Sequence, residues 1–244
     1  MQVAVVGGEM SGEAIARAVE ARGCSVTRLS RSAGFDVLRD DAPAALAGAD
    51  VIIEATGRFT TNRKQATAFF TGSTRALSAA AVTLGARHVL LSIVNCTLPG
   101  VQGYGYFAGK TAQEKAALTA SPRLTIVRST QWHEFVLQNL ERMKVGPFVL
   151  VPGMTIAPVA LDAVASVLAD VAVGDRTEPI IEVAGPETTT LWEMTKAAPH
   201  GGITPVPLRI PGSMGRAFRE GALLPGARAE VLGLGFQEWL AARR

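Results

Sequence analysis

The sequence holds few of the residues on which several protein classes are built. Of 244 residues, two are cysteine, three histidine and two tyrosine. Cys24 and Cys96 cannot form a disulfide framework, and neither lies in a Cys-x-x-Cys or Cys/His cluster. The expectation is a reducing, cytoplasmic setting. Charge is sparse: 18% of residues are Asp, Glu, Lys or Arg, and 24 basic against 21 acidic side chains leave a formal +3. So small a surplus, with arginines scattered among acids, argues against a nucleic-acid partner. Long apolar runs are missing too. The most apolar stretch, 156–168, is interrupted by Pro158 and Asp162 and falls short of the roughly 20 residues that a bilayer span needs. The short run at 3–6 has no basic flank of the kind a signal peptide carries. What is present is 48% apolar, enough to fill a core and too much for a disordered chain.

The apolar residues come in short β-branched runs that alternate with helical patterns. Strands are expected at 3–6, 25–30, 50–55, 88–94 and 124–128, and helices at 12–22, 74–84 and 109–118. Near-continuous apolar strands mark burial on both faces, the habit of parallel sheets covered by helices. The expected fold is α/β: a doubly wound parallel sheet of Rossmann type over 1–145, with a smaller C-terminal part over 146–244. Most of the prolines, from Pro147 to Pro225, fall in that second part. Shorter strands (148–151, 180–183) and helices (159–168, 191–196, 214–220, 237–243) are expected there.

Four places carry chemistry. Gly7-Gly8-Glu9-Met10-Ser11-Gly12 joins the first strand to the first helix, where glycines let a backbone approach a pyrophosphate and a helix N-terminus offers free N–H groups. Ser30-Arg31-Ser32 ends the second strand. An acid there suits the ribose 2′-OH of NAD, whereas arginine between hydroxyls suits a 2′-phosphate, hence NADP with NAD as the alternative. Asp36-Val37 follows at a spacing suited to the adenine side. Thr56-Gly57-Arg58 follows the third strand, where a glycine admits the middle of a dinucleotide and the arginine could reach a phosphate.

The fourth place is the most specific. Ser92 lies in the strand at 88–94, and Tyr106 with Lys110 forms a Tyr-x₃-Lys pair fourteen residues later. With two tyrosines, such a pair arises by chance with an expectation of about 0.04. Spacing of four sets both side chains on one helix face. A nearby ammonium favours phenolate and lowers a pKa that is otherwise near 10. Tyr106 could then exchange a proton with a carbinol or carbonyl oxygen, Lys110 could also hold the nicotinamide ribose, and Ser92 could hydrogen-bond the substrate oxygen. Gln131 and His133, just beyond the strand at 124–128, are expected at the substrate side; a histidine so placed is also compatible with plain packing. His88 and His200 have no carboxylate or cysteine at ligand spacing, so no metal is expected.

These residues together resemble the atypical short-chain dehydrogenase/reductases of the NmrA-like, NAD(P)H-binding type. The resemblance rests on Val5-Val6-Gly7-Gly8 with Gly12, Leu29-Ser30-Arg31, Gly48 to Ile53, His88 to Val94, Tyr106 to Lys110 with Thr111-Ala112-Gln113-Glu114, Arg128-Ser129-Thr130-Gln131, and Ala184-Gly185-Pro186-Glu187. It implies an NADP(H)- or NAD(H)-binding Rossmann domain whose C-terminal part closes over the cleft. It further implies a reductase of quinones or other carbonyl compounds, or a redox sensor that binds the nucleotide without turnover. Two departures stand out. The glycine loop is one residue short of the family's Gly-x-x-Gly-x-x-Gly, with Glu9 where the middle glycine belongs, and Gly109 precedes the lysine, where it is expected to loosen the helix start. Three readings follow: an NADP(H)-dependent oxidoreductase of small carbonyl or quinone-like molecules, monomeric or homodimeric; a nucleotide-sensing regulator; and a Rossmann module that binds no dinucleotide.

Overall fold

Four consecutive apolar residues, Val3 to Val6, are each no more than 2% exposed, as the centre of a covered parallel sheet requires. In the computed structural model, which describes residues 1–243, they form β1 (Gln2–Gly7). The chain continues through α1 (Glu9–Glu20), β2 (Ser25–Leu29), α2 (Ala42–Ala45), β3 (Val51–Ala55), α3 (Arg63–Leu84), β4 (Arg87–Ile93), α4 (Gly105–Ala120) and β5 (Leu124–Ser129). Then come α5 (Phe135–Arg142), β6 (Lys144–Val145), β7 (Phe148–Pro152), β8 (Thr155–Ile156), α6 (Leu161–Val173), β9 (Ile180–Ala184) and β10 (Thr189–Thr190). The last elements are α7 (Leu191–Ala197), β11 (Thr204–Leu208), α8 (Gly212–Arg219), β12 (Glu230–Val231) and α9 (Phe236–Ala241). Seven strands form one sheet in the order β12-β9-β5-β4-β3-β1-β2, with β2-β1, β1-β3, β3-β4 and β9-β12 parallel. The doubly wound α/β architecture is the expected one. Among the described residues no helix is long and apolar enough to cross a membrane.

The chain divides into two compact units, but not by a single cut near residue 145. The first holds Met1–Ile93, Tyr104–Arg128 and Val164–Ile181; the second holds Val94–Gly103, Ser129–Ala163 and Glu182–Arg244. Parallel strands need crossover connections, so the chain returns to the first unit late. There Arg22 binds Asp170 through both Nε (2.8 Å) and a terminal nitrogen (2.6 Å), and the Ile126 N–H donates to the Pro179 carbonyl at 2.9 Å.

Inside the first unit, Ala4, Val6, Ile52 and Leu77 gather with Phe35 and Val37 into one buried cluster. Helix α3 starts eleven residues earlier than its strongest helical pattern. Asn62 caps it by accepting from the Gln65 N–H at 3.0 Å, and Ala66, Phe69 and Phe70 are buried on its inner face. Gly109 explains the closeness of α3 and α4. A Cβ at that position would stand 2.6 Å from Phe70 and 3.0 Å from Ala66. The glycine therefore lets two helices touch, and does not loosen a helix start as expected. A helical Gly→Ala change normally gains roughly 0.5–1 kcal/mol. Here Gly109→Ala is expected to destabilise by about 1–3 kcal/mol through overpacking, measured by denaturant unfolding.

Candidate functional site

Strand β1 ends at Gly7, Gly8 is the N-cap of α1, and the helix begins at Glu9. The first intrahelical bond is from the Gly12 N–H to the Gly8 carbonyl, 2.8 Å, so the first turn of α1 presents its N–H groups toward the end of β1. The two glycines have different causes. A Cβ on Gly7 would lie 2.5 Å from the Ala55 carbonyl oxygen, so Gly7 is dictated by the neighbouring strand. A Cβ on Gly8 would meet only the Ser11 hydroxyl, at 4.0 Å, so Gly8 leaves open space above the helix start. A cavity of about 460 Å³ opens there, lined by Gly7, Gly8, Glu9, Gly12, Arg28, Ser30 and Ser32 among others. Of the two acids on its wall, Glu13 pairs with Arg17 at 3.2 Å, and Glu9 is exposed in the first turn of α1. Met10 is exposed; Ser11 and Gly12 are buried.

The second strand delivers a different arginine from the expected one. Arg28, Ser30 and Ser32 line the cavity, while Arg31 is exposed and off its wall. Alternation along an extended strand puts residues 28 and 30 on one face. Ser30 caps a short 3₁₀ turn (Arg31–Ala33), accepting from the Ala33 N–H at 3.2 Å, with its hydroxyl 2.9 Å from that of Ser32. At Asp36-Val37, expected on the adenine side, Val37 is a core residue and Asp36 organises its own turn, accepting from the Leu38 N–H at 3.0 Å and facing Arg39 at 3.7 Å.

Register brings the third and fourth places together. Gly7 pairs with Ala55, so the glycine turn stands beside Thr56-Gly57 on strands about 4.8 Å apart. Tyr106, in the first turn of α4, is half-buried. Its phenolic oxygen is 3.8 Å from where a Gly57 Cβ would stand. Its ring meets Phe70 edge-on, centroids 5.3 Å apart. Gly57 and Arg58 are exposed.

Ser92 and Lys110, in contrast, are 1% and 3% exposed and turn into the interior. The Lys110 ammonium donates to the Leu91 carbonyl at 2.7 Å and to Gln113 Oε1, 5.0 Å from the Phe70 ring centre. Gln113 Nε2 donates to Glu54 at 2.7 Å. Glu54 also accepts from the hydroxyls of Thr56 (3.0 Å) and Thr74 (2.8 Å), and lies 3.1 Å from His88 Nε2. His88, without a local partner in the sequence, thus has one across the sheet: it pairs with Ile52, two residues before Glu54 and on the same face. Burial pushes the Glu54 carboxyl up, but the hydrogen bond and charge of His88, the Thr74 hydroxyl and the Lys110 ammonium together hold it below the ordinary carboxylate value. Glu114 is built alike. Burial raises it, and the Arg128 fork (2.9 and 2.7 Å), the Ser92 hydroxyl and the Lys110 charge bring it below that value. Lys110 is therefore a buried cation compensated by two buried carboxylates.

In the second unit, Trp132 bridges Val159, so Gln131 and His133 share a face. His133 is fully buried, its Nε2 donating to the Leu234 carbonyl at 3.0 Å and its ring packed on Phe236 and Trp239, centroids 5.5 and 5.2 Å away. Burial pushes its pKa down, with Arg243 adding to that, against the Leu234 carbonyl and Glu187. The packing alternative describes this histidine. The Gln131 side-chain oxygen is buried with no hydrogen-bond partner among the described residues.

No protein-family model matches this chain, and no curated protein matches it in sequence. Solved structures do resemble it. An NADPH-dependent quinone oxidoreductase of Escherichia coli, complexed with NADPH, aligns at 14% identity over 99% of each chain with a TM-score of 0.69. A nucleoside-diphosphate-sugar epimerase of Staphylococcus aureus aligns at 13% identity over 98% of this chain and 99% of its own, TM-score 0.69. A dTDP-4-dehydrorhamnose reductase of Clostridium acetobutylicum aligns at 14% identity over 85% of this chain and 84% of its own, TM-score 0.66. At these identities the likeness shows a shared fold.

Proposed function

We propose that this chain is an NADP(H)-dependent oxidoreductase acting on a small carbonyl or quinone-like molecule. The observation that carries the reading is the phenol of Tyr106 lying 3.8 Å from where a Gly57 Cβ would stand, one strand from a glycine turn that opens at the N-terminus of α1. The fold is shared with an E. coli quinone oxidoreductase complexed with NADPH, which supports the cofactor. The open space above Gly8 and the cavity beside it fit a dinucleotide. The amides of Glu9, Met10 and Ser11 would hold the diphosphate, and Arg28 with Ser30 and Ser32 a 2′-phosphate. The nicotinamide, when bound, supplies or accepts the hydride. Tyr106 gives its proton to the carbonyl oxygen as that oxygen gains charge, or takes it back in the oxidative direction. Lys110 would act from the interior, its ammonium on the Leu91 carbonyl and Gln113 and in the field of Glu54 and Glu114. The test is NADPH consumption across a panel of quinones, aldehydes and ketones, with turnover of at least one expected. NADPH binding without any turnover supports instead the nucleotide-sensing reading, which the inward-facing Ser92 and Lys110 favour.

Two substitutions test the cofactor side. Arg28→Ala is expected to weaken NADPH about tenfold, the loss of one charged hydrogen bond, and to leave NADH within about twofold by calorimetry. Glu9→Gln removes a negative charge from the wall of the cavity that would hold the diphosphate. It is expected to tighten NADPH by about threefold to tenfold at low salt, and less at high salt.

A further inference from the structure

A second concave site lies wholly within the second unit and has no part in the proposed hydride transfer. It is lined by Val151 of β7, by Pro207 and Leu208 of the parallel edge strand β11, and by Gly153, Trp192, Arg209 and Arg219, around a volume of about 320 Å³. Among the described residues no aspartate or glutamate lines it. Arg209 is exposed and has no hydrogen-bond or ion-pair partner among the described residues. Arg219 donates to the Ile210 carbonyl at 3.2 Å and has no carboxylate partner among them. Lys196 adds a third positive charge, 6.0 Å from the indole centre. Gly153 is what makes room: a Cβ there would press on the Arg219 stem at 3.2 and 3.4 Å.

Two guanidiniums with no carboxylate partner among the described residues, beside apolar side chains and an indole, select a ligand by two properties. The indole and the apolar side chains take a planar ring, and the guanidiniums take an anion in a bidentate grip. The volume is at the lower end of the range for small-molecule sites, which suits one ring system with one charged group and excludes a dinucleotide. We propose that this site binds a flat aromatic molecule carrying a single carboxylate or phosphate.

The test is calorimetry on the full chain with 1-naphthoate and AMP, and with their neutral counterparts 1-naphthalenemethanol and adenosine. At least one anion is expected to bind one-to-one, at least about tenfold more tightly than its neutral counterpart, and the preferred anion tells carboxylate from phosphate. Arg209→Ala and Trp192→Leu are each expected to weaken that anion about tenfold, with Arg209→Lys in between. Gly153→Ala, which displaces Arg219, should weaken it with both arginines still present. No binding of either anion at millimolar concentration would overturn the proposal. So would equal affinity for the neutral compounds, an affinity unchanged by Arg209→Ala, or displacement by NADPH, which would assign the anion to the crevice beside Gly8.

Discussion

Tyr106→Phe is expected to lower the rate of NADPH oxidation by about 10²–10⁴-fold, the usual worth of a positioned general acid, and to leave NADPH affinity within about twofold. The substitution deletes one oxygen. It keeps the ring that stands edge-on to Phe70, and with it the seam between α3 and α4. Nothing in the glycine turn of β1 or at Arg28 changes. Steady-state turnover and a parallel NADPH titration separate the two quantities. A variant with wild-type turnover would remove Tyr106 as the acid; a variant that loses cofactor and turnover together would make it a binding residue.

Glu54→Ala has the largest expected effect on stability. Its carboxylate gathers Thr56, Thr74, Gln113 and His88 in the interior and lies in the charge field of Lys110. Deleting one partner of a buried charged pair typically costs about 3–5 kcal/mol, because the other polar groups stay buried without it. At the sensitivity usual for a chain of this size, that lowers the melting temperature by about 6–20 °C. The pH dependence has a definite sign. A carboxyl held below its unfolded value of 4.5 contributes stability that is full above that pH and is lost as pH falls through the folded value. The gap between wild type and Glu54→Ala should therefore be constant near neutrality and narrow on acidification below about pH 4.5, followed by thermal unfolding across pH 3–8. A gap that stays open at the acid end would show that volume, not charge, is what Glu54 supplies.

The sheet was legible because burial on both faces leaves few polar residues in a strand, as at Val3 to Val6 or Val51 to Ile53. Other elements were hidden by their composition. The first half of α3 carries Thr67, Thr71, Gly72 and Ser73, which are weak helix formers. It is helical because Ala66, Phe69 and Phe70 are buried there. β11 contains Pro205 and Pro207, which read as a loop, yet an edge strand tolerates proline on its outward side. Tyr106 stood out through spacing alone, but the surroundings of Lys110 and Ser92 did not, since the carboxylates that enclose them come from β3 and from further along α4. The signal was faint: Glu54 is a lone acid within an apolar strand, and such a residue needs a partner inside. Arg28 gives no such signal, because it lies within the strand, three residues before Arg31. Gly109 depends on a helix some forty residues away in the chain, so its role is visible only in three dimensions.

A crystal structure of the chain grown with NADPH brings the helix start of α1 and the phenol of Tyr106 under a single observation. The diphosphate is expected on the amides of Glu9, Met10 and Ser11, with the 2′-phosphate against Arg28 and the nicotinamide ring within reach of Tyr106 Oη. Density that places the dinucleotide elsewhere, or a crevice that stays empty at saturating NADPH with Glu9 folded over the helix start, would contradict it.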